Sequence, residues 1–344
     1  MNPKRRIIPV FIPNEGCRNN CVFCDQHRIT GVSATVNGDV LGDILNSALL
    51  EIRGCVSLPA TRDPLQLAFY GGSFTAMPIQ RQFELLKAAE PFLSLDPLNS
   101  IRISTRPDCI DNTILEMLKR YGVSTIELGA QSMCDDVLSA SQRGHTANDV
   151  AKASALIKRA GFALVLQMMT GLPRDTSEKS IYTVKRFIEL APDAVRIYPT
   201  VVIKGSKLHN MWSNGEYKEH TIDEAVELCA MLLTIFEDAG IPVIRLGLNP
   251  TEALGAGDAV AGAYHPSLGE LVYSRAFYNK AENLLGGIAP GSNITLAVSR
   301  GAVSKMTGNR RWNIEALTAK FSLQSLKVVE IDLDPGKVKI HEIS

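Results

Sequence analysis

Residues 16–24, with the sequence GCRNNCVFC, place three thiols on one short segment of the chain. Cys17, Cys21 and Cys24 follow the spacing C-x3-C-x2-C, and no fourth cysteine follows nearby. Zinc sites usually have four protein ligands, and iron–sulfur clusters are usually held by four cysteines. Three thiolates therefore leave one coordination position without a cysteine ligand. Two other interpretations remain: a zinc site with three cysteines that His27 completes, or three thiols that bind no metal.

Length, charge and cysteine content narrow the class of protein. The chain has 344 residues, enough for one large domain or for a large and a small one. Its formal net charge is zero, so no overall field attracts nucleic acid or membranes. Seven cysteines, an odd number without the distribution of a disulfide framework, indicate a reducing compartment. No apolar run is long enough for a signal peptide or a membrane span, so we expect a soluble, cytoplasmic protein.

Apolar, β-branched runs alternate with segments of helical periodicity. The six runs are residues 7–12, 65–70, 100–105, 124–128, 162–169 and 193–198. A glycine repeatedly separates a helical segment from the next run, as at Gly122, Gly161 and Gly240, where a helix end must turn left-handed. Such repeating units predict parallel strands joined by crossover helices. The expected fold is α/β, a partial (β/α)6 TIM-type barrel with a small C-terminal α+β lobe.

Unusual loops follow the predicted strands, at positions that a barrel brings to one rim. The carboxyl ends of the strands form this rim, where barrel enzymes have their active sites. Besides the cysteine segment, the loops contain the sequences GGSF at 71–74, STRPD at 104–108, ELGAQS at 127–132, RGHT at 143–146, GLP at 171–173 and RIYPT at 196–200. Packing alone does not explain so many special loops on one rim, so we expect a functional site there.

The cysteine spacing, with an aromatic residue before the third cysteine, resembles the signature of the radical S-adenosylmethionine superfamily. The rim motifs, in the same order, resemble the radical domain of the catalytic subunit of Elongator, which modifies the wobble uridine of tRNA. This likeness covers about residues 5–245. It implies a 4Fe–4S cluster on Cys17, Cys21 and Cys24, with S-adenosylmethionine bound at the open iron. The implied contacts to S-adenosylmethionine are Phe23, Gly72, Ser73, Ser104, Arg106 and Gln131.

The chain departs from the Elongator pattern at three points. Elongator-type chains usually have Glu at the position of Ser104, so the contact of this residue with the ribose of S-adenosylmethionine is in question. Only about 95 residues follow the predicted barrel, too few for the acetyltransferase domain of Elongator. The cysteine spacing is the shorter form that is common in the superfamily. The resemblance therefore implies a stand-alone bacterial relative, which needs an electron donor such as flavodoxin or ferredoxin.

The C-terminal residues 249–344 are predicted to form a lobe of their own beside a barrel domain of residues 1–248. A small-residue segment at 255–262 is expected to cross the mouth of the barrel, so that the lobe covers it. Two strand-like runs flank the turn at 334–336, with the sequence DPG, and predict a hairpin. His265 is a candidate proton donor to the substrate, with a structural role as the alternative.

We predict a radical S-adenosylmethionine enzyme that abstracts hydrogen from its substrate, and we favour RNA, in particular tRNA, as that substrate. The Elongator resemblance and local basic clusters motivate this prediction, and Trp312 beside one cluster suits base stacking. The clusters contain residues 4–6, Arg143, His145, Lys204, Lys207, Arg300, Lys305, Arg310 and Arg311. A solvated charged face is the alternative interpretation. The alternative functions are a small-molecule enzyme like oxygen-independent coproporphyrinogen oxidase, and an iron–sulfur or zinc-binding module without turnover.

Overall fold

The computed structural model describes residues 6–17, 21–32, 35–54, 65–95 and 98–344. The strands in these ranges are β1 (Arg6–Phe11), β2 (Leu65–Tyr70), β3 (Leu98–Thr105), β4 (Val123–Gln131), β5 (Ala163–Thr170), β6 (Ala194–Pro199), β7 (Val201–Ile203), β8 (Val243–Leu246), β9 (Ala259–Gly262), β10 (Asn293–Val298), β11 (Ser325–Glu330) and β12 (Val338–Ile343). The helices are α1 (Gln26–Thr30), α2 (Gly38–Gly54), α3 (Ile79–Ala89), α4 (Asn112–Arg120), α5 (Asp135–Ala140), α6 (Ala147–Arg159), α7 (Ser177–Leu190), α8 (Lys207–Ser213), α9 (Ile222–Asp238), α10 (Leu268–Leu285), α11 (Val303–Thr307) and α12 (Trp312–Lys320).

The main sheet has seven parallel strands in the order β1-β2-β3-β4-β5-β6-β8. It curls into a half-barrel with helices on its outside, which confirms the partial TIM-type barrel. The sequence predicts six strands, and the seventh is β8. Gly240 marks a helix end shortly before it, but four residues interrupted by Arg245 are too few to be assigned as a strand from their apolar character alone.

Apolar side chains from the strands and from the inner faces of the helices form one continuous core. Leu67, Phe69, Ile101 and Leu164 are among its fully buried members. The helix starts follow from local sequence: the Asp111 side chain accepts a hydrogen bond from the Ile114 backbone N–H. Such caps typically contribute about 1 kcal/mol. Thr146 starts α6 in the same way and forms a full capping box with Asp149.

The C-terminal lobe has a sheet of its own, in the order β11-β10-β12. The predicted hairpin is wrong, because β10 lies between its two strands, parallel to β11 and antiparallel to β12. The apolar β10 side chains Ile294, Leu296 and Val298 are buried, so β10 takes the central position. Helix α10 contributes side chains to the barrel core and to the core of the lobe. The division at residue 248 stays a prediction.

The chain that follows β8 returns to the open end of the barrel. Residues 248–251 line the cavity there, and β9 pairs with β7 in a short antiparallel ribbon. Helix α1 follows the cysteine loop (residues 16–24) along the chain, and its Arg28 forms an ion pair of 2.7 Å with Asp258. Among the helices of the described residues, none combines the length and the apolar character needed to cross a lipid bilayer.

Candidate active site

A cavity of about 830 Å³ opens at the carboxyl ends of the barrel strands. The cysteine loop, the ends of β2 to β6 and residues 248–251 form its walls. Its charged lining residues in the described part of the chain are Arg106, Glu127, Arg143 and Arg196. With three cations and one anion, the lining carries an excess of positive charge.

Cys17, Cys21 and Cys24 all line this cavity. Burial, together with the neighbouring Cys21 and Cys17, raises the pKa of the Cys24 thiol to about 12. Burial also raises the pKa of Cys17. A cation bound among the three would oppose these effects, because it stabilises thiolates. Within the described ranges, no three Cys, His, Asp or Glu side chains converge as a single metal ion would require. The Nδ1 atom of His27 lies 3.1 Å from the Val32 carbonyl oxygen.

Gly16 and Gly72 allow the cysteine loop to pack directly on the turn that follows β2. The Ser73 backbone N–H donates to the Glu15 carbonyl oxygen over 2.8 Å, and the Cys17 Sγ lies 3.8 Å from the Ser73 Oγ. A Cβ on Gly72 would lie 2.4 Å from the Glu15 oxygen, and a Cβ on Gly16 would lie 2.3 Å from the Ser73 carbonyl oxygen. The close approach at Gly72 is thus to the protein's own backbone, at the edge of the cavity that this residue lines.

Arg143 lies against the cysteine loop. Its Nη1 is 3.1 Å from the Cys21 Sγ, and its Nη2 donates to the Gly129 carbonyl oxygen over 2.6 Å. Arg106 donates to the Arg143 carbonyl oxygen over 2.8 Å and is held by Asp108 through two N–H groups. The sequence predicts that Arg143 contacts RNA on the rim. At 8% exposure it faces the cysteines instead, so it is not available for an RNA contact on the rim.

A buried polar network crosses the inside of the half-barrel beside the cavity. The Glu127 Oε1 accepts hydrogen bonds from Arg102 Nη1 (2.6 Å), Arg196 Nη2 (2.8 Å) and Tyr70 Oη (3.2 Å). Arg102 also donates to the Gln66 Oε1 through Nε and Nη2. Burial and the Glu127 carboxylate raise the pKa of the Tyr70 phenol, so Tyr70 remains a donor. The sequence-based prediction did not include this network, although charged residues inside apolar strands could have indicated it.

Family profiles match most of the half-barrel. The profile described as the Radical SAM superfamily, where SAM denotes S-adenosylmethionine, matches residues 11–187, just over half of the chain. The chain belongs to the radical SAM superfamily. A second profile, the Radical_SAM C-terminal domain, matches residues 192–277. The protein is therefore a radical SAM enzyme, as the sequence predicts.

Curated relatives of this radical SAM enzyme include proteins of the Elongator type, to whose radical domain the chain is homologous. The tRNA uridine(34) acetyltransferase of Methanocaldococcus jannaschii is 32% identical over 306 residues, which cover 78% of this chain and 54% of that protein. The human Elongator complex protein 3 is 33% identical over 196 residues, which cover 50% of this chain and 35% of that protein. The chain thus spans about a third to a half of the length of these relatives.

A solved structure with the same fold is the archaeal Methanocaldococcus infernus Elp3 with an N-terminal deletion. It superposes with a TM-score of 0.60 over 80% of this chain and 63% of that chain, at 24% sequence identity. This likeness supports the half-barrel fold.

The residues that the resemblance assigns to SAM binding all line the cavity of the radical SAM enzyme. They are Phe23, Gly72, Ser73, Ser104, Arg106 and Gln131. Gln131 is buried at the end of β4 with a φ of 66°, a left-handed conformation that is costly for a residue with a side chain. Its Oε1 accepts from the Gln167 Nε2 over 3.3 Å. The assignments themselves stay predictions.

Other predicted site residues do not line the cavity. The His265 Nδ1 accepts from the Ser267 backbone N–H over 3.0 Å. Lys204 and Lys207 are exposed, and the Lys207 Nζ donates to the Gln142 Oε1 over 2.7 Å. Of the predicted basic cluster at residues 4–6, the side chains lie outside the described part of the chain.

Trp312 presents a half-exposed ring on the C-terminal lobe, where it packs on the buried Tyr278 and the partly exposed Arg275, a platform for stacking. The two rings lie 5.5 Å apart, and the Arg275 guanidinium lies 5.3 Å from the Trp312 ring. Half of the Trp312 side chain is exposed. Arg310 and Arg311 precede it with φ values of 48° and 66°, and both side chains are exposed. The platform combines stacking surface with positive charge.

Proposed function

We propose that this radical SAM enzyme holds a 4Fe–4S cluster through Cys17, Cys21 and Cys24, with SAM in the adjoining cavity. The observation that carries the proposal is that three thiols of one loop line a cavity of about 830 Å³. Soft thiolate ligands suit iron–sulfur clusters, and three of them leave a coordination site for SAM. The turn at Gly72, which has no room for a side chain, packs against the backbone of this loop and so fixes the position of the cysteines.

When bound, these cofactors supply a carbon-centred radical that takes hydrogen from a substrate. The chain's own residues hold, orient and screen them. Arg143 places a positive charge 3.1 Å from the Cys21 sulfur, on the wall of the cavity. Phe23 contributes a nearly buried apolar wall, and Ser73, Ser104 and Gln131 offer polar groups to the cavity.

The role that we propose for Arg106 is positioning. Its guanidinium holds Asp108 and the Arg143 backbone, so most of its hydrogen-bonding capacity is used within the protein. It thereby fixes the loop from which Arg143 reaches the cysteines.

Alanine variants of the three cysteines test this assignment. After anaerobic reconstitution, the wild type should bind about four irons per chain, and each of Cys17→Ala, Cys21→Ala and Cys24→Ala should lose them. The matched controls are Cys109→Ala and Cys134→Ala, which should retain the iron. A colourless wild type with one zinc per chain, or full iron content in a variant of the cysteine loop, would contradict the proposal.

We propose tRNA as the substrate of the radical chemistry. The Methanocaldococcus relatives are tRNA uridine(34) acetyltransferases, and 32% identity over 306 residues to one of them supports a related substrate. The platform around Trp312, with Arg310 and Arg311 beside it, can stack on a base and contact phosphates. Lys204 and Lys207 add exposed positive charge on the segment that follows β7.

Salt-dependent binding tests the RNA substrate. The affinity of the wild type for tRNA should fall steeply with salt, because phosphate contacts release counterions. The double variant Arg310→Ala/Arg311→Ala should weaken binding and flatten the log–log salt slope by about one unit per lost contact. The control with the same charge change is Lys152→Ala/Lys185→Ala, on the outer helices α6 and α7. If the wild type binds no tRNA at about 50 mM salt, the RNA proposal is wrong and the substrate is a small molecule or a peptide.

A further inference from the structure

Arg196 and Tyr198 form a donor-rich edge of the cavity that the proposed cofactor contacts leave unused. Both residues project from β6 and line the cavity. The Arg196 Nη1 donates to the Tyr198 Oη over 3.2 Å, so the tyrosine oxygen is already an acceptor. In the described part of the chain, no acceptor receives the Tyr198 hydroxyl proton, and the buried Arg196 Nε has no partner.

The network around Arg196 contains more positive than negative charge. Arg102 and Arg196 both donate to the same carboxylate, that of Glu127. Two guanidinium groups against one carboxylate leave one positive charge in excess among the described residues. Arg102 is buried behind the wall, whereas Arg196 lines the cavity, so the excess charge is presented to a ligand through Arg196.

The position of this edge places it beside the proposed cofactor site. Strand register pairs Arg196 with Gln167 on β5, and the Gln167 amide in turn contacts Gln131. One residue therefore separates Arg196 from a proposed SAM contact. A group bound at Arg196 and Tyr198 is therefore held next to the proposed SAM site, on a wall of the cavity that does not include the cysteines.

We propose that Arg196 and Tyr198 form a subsite for an oxyanion of the substrate, a phosphate or a carboxylate. The subsite rests on the proposed function, because it positions the substrate for the radical that the cofactors supply. A guanidinium and a phenol hydroxyl both donate, and together they match an anionic group that accepts several hydrogen bonds. The hydrogen bonds of Arg196 to Glu127 and Tyr70 hold the guanidinium in place before a ligand arrives.

Two pairs of probes test the subsite on the reconstituted holoenzyme, saturated with SAM and kept oxidised so that no turnover occurs. One pair is uridine 5′-monophosphate and uridine, and the other is propionate and propionamide; isothermal titration calorimetry measures each affinity. We expect at least one anion to bind about tenfold or more tightly than its neutral partner. Preference in the first pair identifies a nucleotide phosphate as the source of the oxyanion, and preference in the second identifies a carboxylate.

Tyr198→Phe removes one hydroxyl and should reduce the affinity for the preferred anion about tenfold, whereas Tyr182→Phe on the exposed face of α7 should not change it. Arg196→Gln removes the charge and should abolish the preference for the anion. Equal affinities within both pairs, or an unchanged affinity in Tyr198→Phe, would overturn the subsite. Iron content and SAM binding are measured first: their absence from the wild type refutes the proposed function as well, while their presence limits a negative result to the subsite.

Discussion

Replacing Gly72 by Ala perturbs the contact between the cysteine loop and the turn after β2. The added Cβ would lie 2.4 Å from the Glu15 carbonyl oxygen and 2.7 Å from that of Ile12. Both oxygens belong to the backbone, so no side-chain rotation relieves the clash, and the two segments must separate by several tenths of an ångström or more. Overpacking of this kind costs about 1–3 kcal/mol. Because Cys17 follows Glu15 by two residues, the separation also displaces a proposed cluster ligand.

Gly72→Ala should therefore lower the free energy of unfolding by about 1–3 kcal/mol and reduce the iron content after reconstitution. Urea unfolding of the metal-free protein and an iron assay on the reconstituted protein measure the two effects separately. Gly42→Ala is the matched control, because Gly42 lies inside α2 with no atom near its missing Cβ. That variant should be stabilised by about 0.5–1 kcal/mol and keep its iron. A Gly72→Ala variant that is as stable as the wild type and binds as much iron would refute the reasoning.

Three further variants have defined expectations. Burial, and then the nearby Arg143, lowers the pKa of His145 to about 4 from 6.5, so the unfolded chain takes up a proton that the folded chain does not. The free energy of unfolding should therefore fall by up to about 3 kcal/mol between pH 6.5 and pH 4. In His145→Gln, the free energy of urea unfolding should change less with pH over this range. Glu127→Gln leaves two buried guanidinium groups without a carboxylate and should cost about 3 kcal/mol or more in the same assay; a neutral result would mean that the network is not coupled to folding. Thr146→Ala removes the capping box of α6 and should cost about 1 kcal/mol in thermal unfolding, with a smaller loss in Thr146→Ser.

The half-barrel was predictable because its signals are local. Each strand from β1 to β6 is an apolar run, and caps such as Asp111 mark where the helices begin. The pairing of β11 and β12 was not predictable in this way. A turn sequence between two strand-like runs indicates a hairpin, but β10, from a distant part of the chain, competes for both strands and pairs with each.

The residues of the cavity were predictable from motifs, and their contacts were not. Side chains alternate between the two faces of a strand, but the sequence does not state which face of a curled sheet lines the cavity. Glu127 and Arg196 thus appear in rim motifs without any indication that they meet. Arg143 comes from a loop, and only the tertiary structure brings its guanidinium to Cys21 rather than to solvent.

The cysteine loop continues from β1, and β1 is an edge strand that pairs only with β2 in the described part of the sheet. The last bond of that pairing, from the Ile12 backbone N–H to the Tyr70 carbonyl oxygen, lies just before the loop. Edge elements open locally at a lower free energy than the whole domain. A local opening that detaches β1 would displace Cys17, whereas β2 to β6 and β8 stay paired and the Val22 backbone stays bonded to Ser141 and Leu208. The retention of the proposed cluster should therefore depend on the stability of one strand pair, and iron should leave the heated, reconstituted protein before the remaining strands unfold.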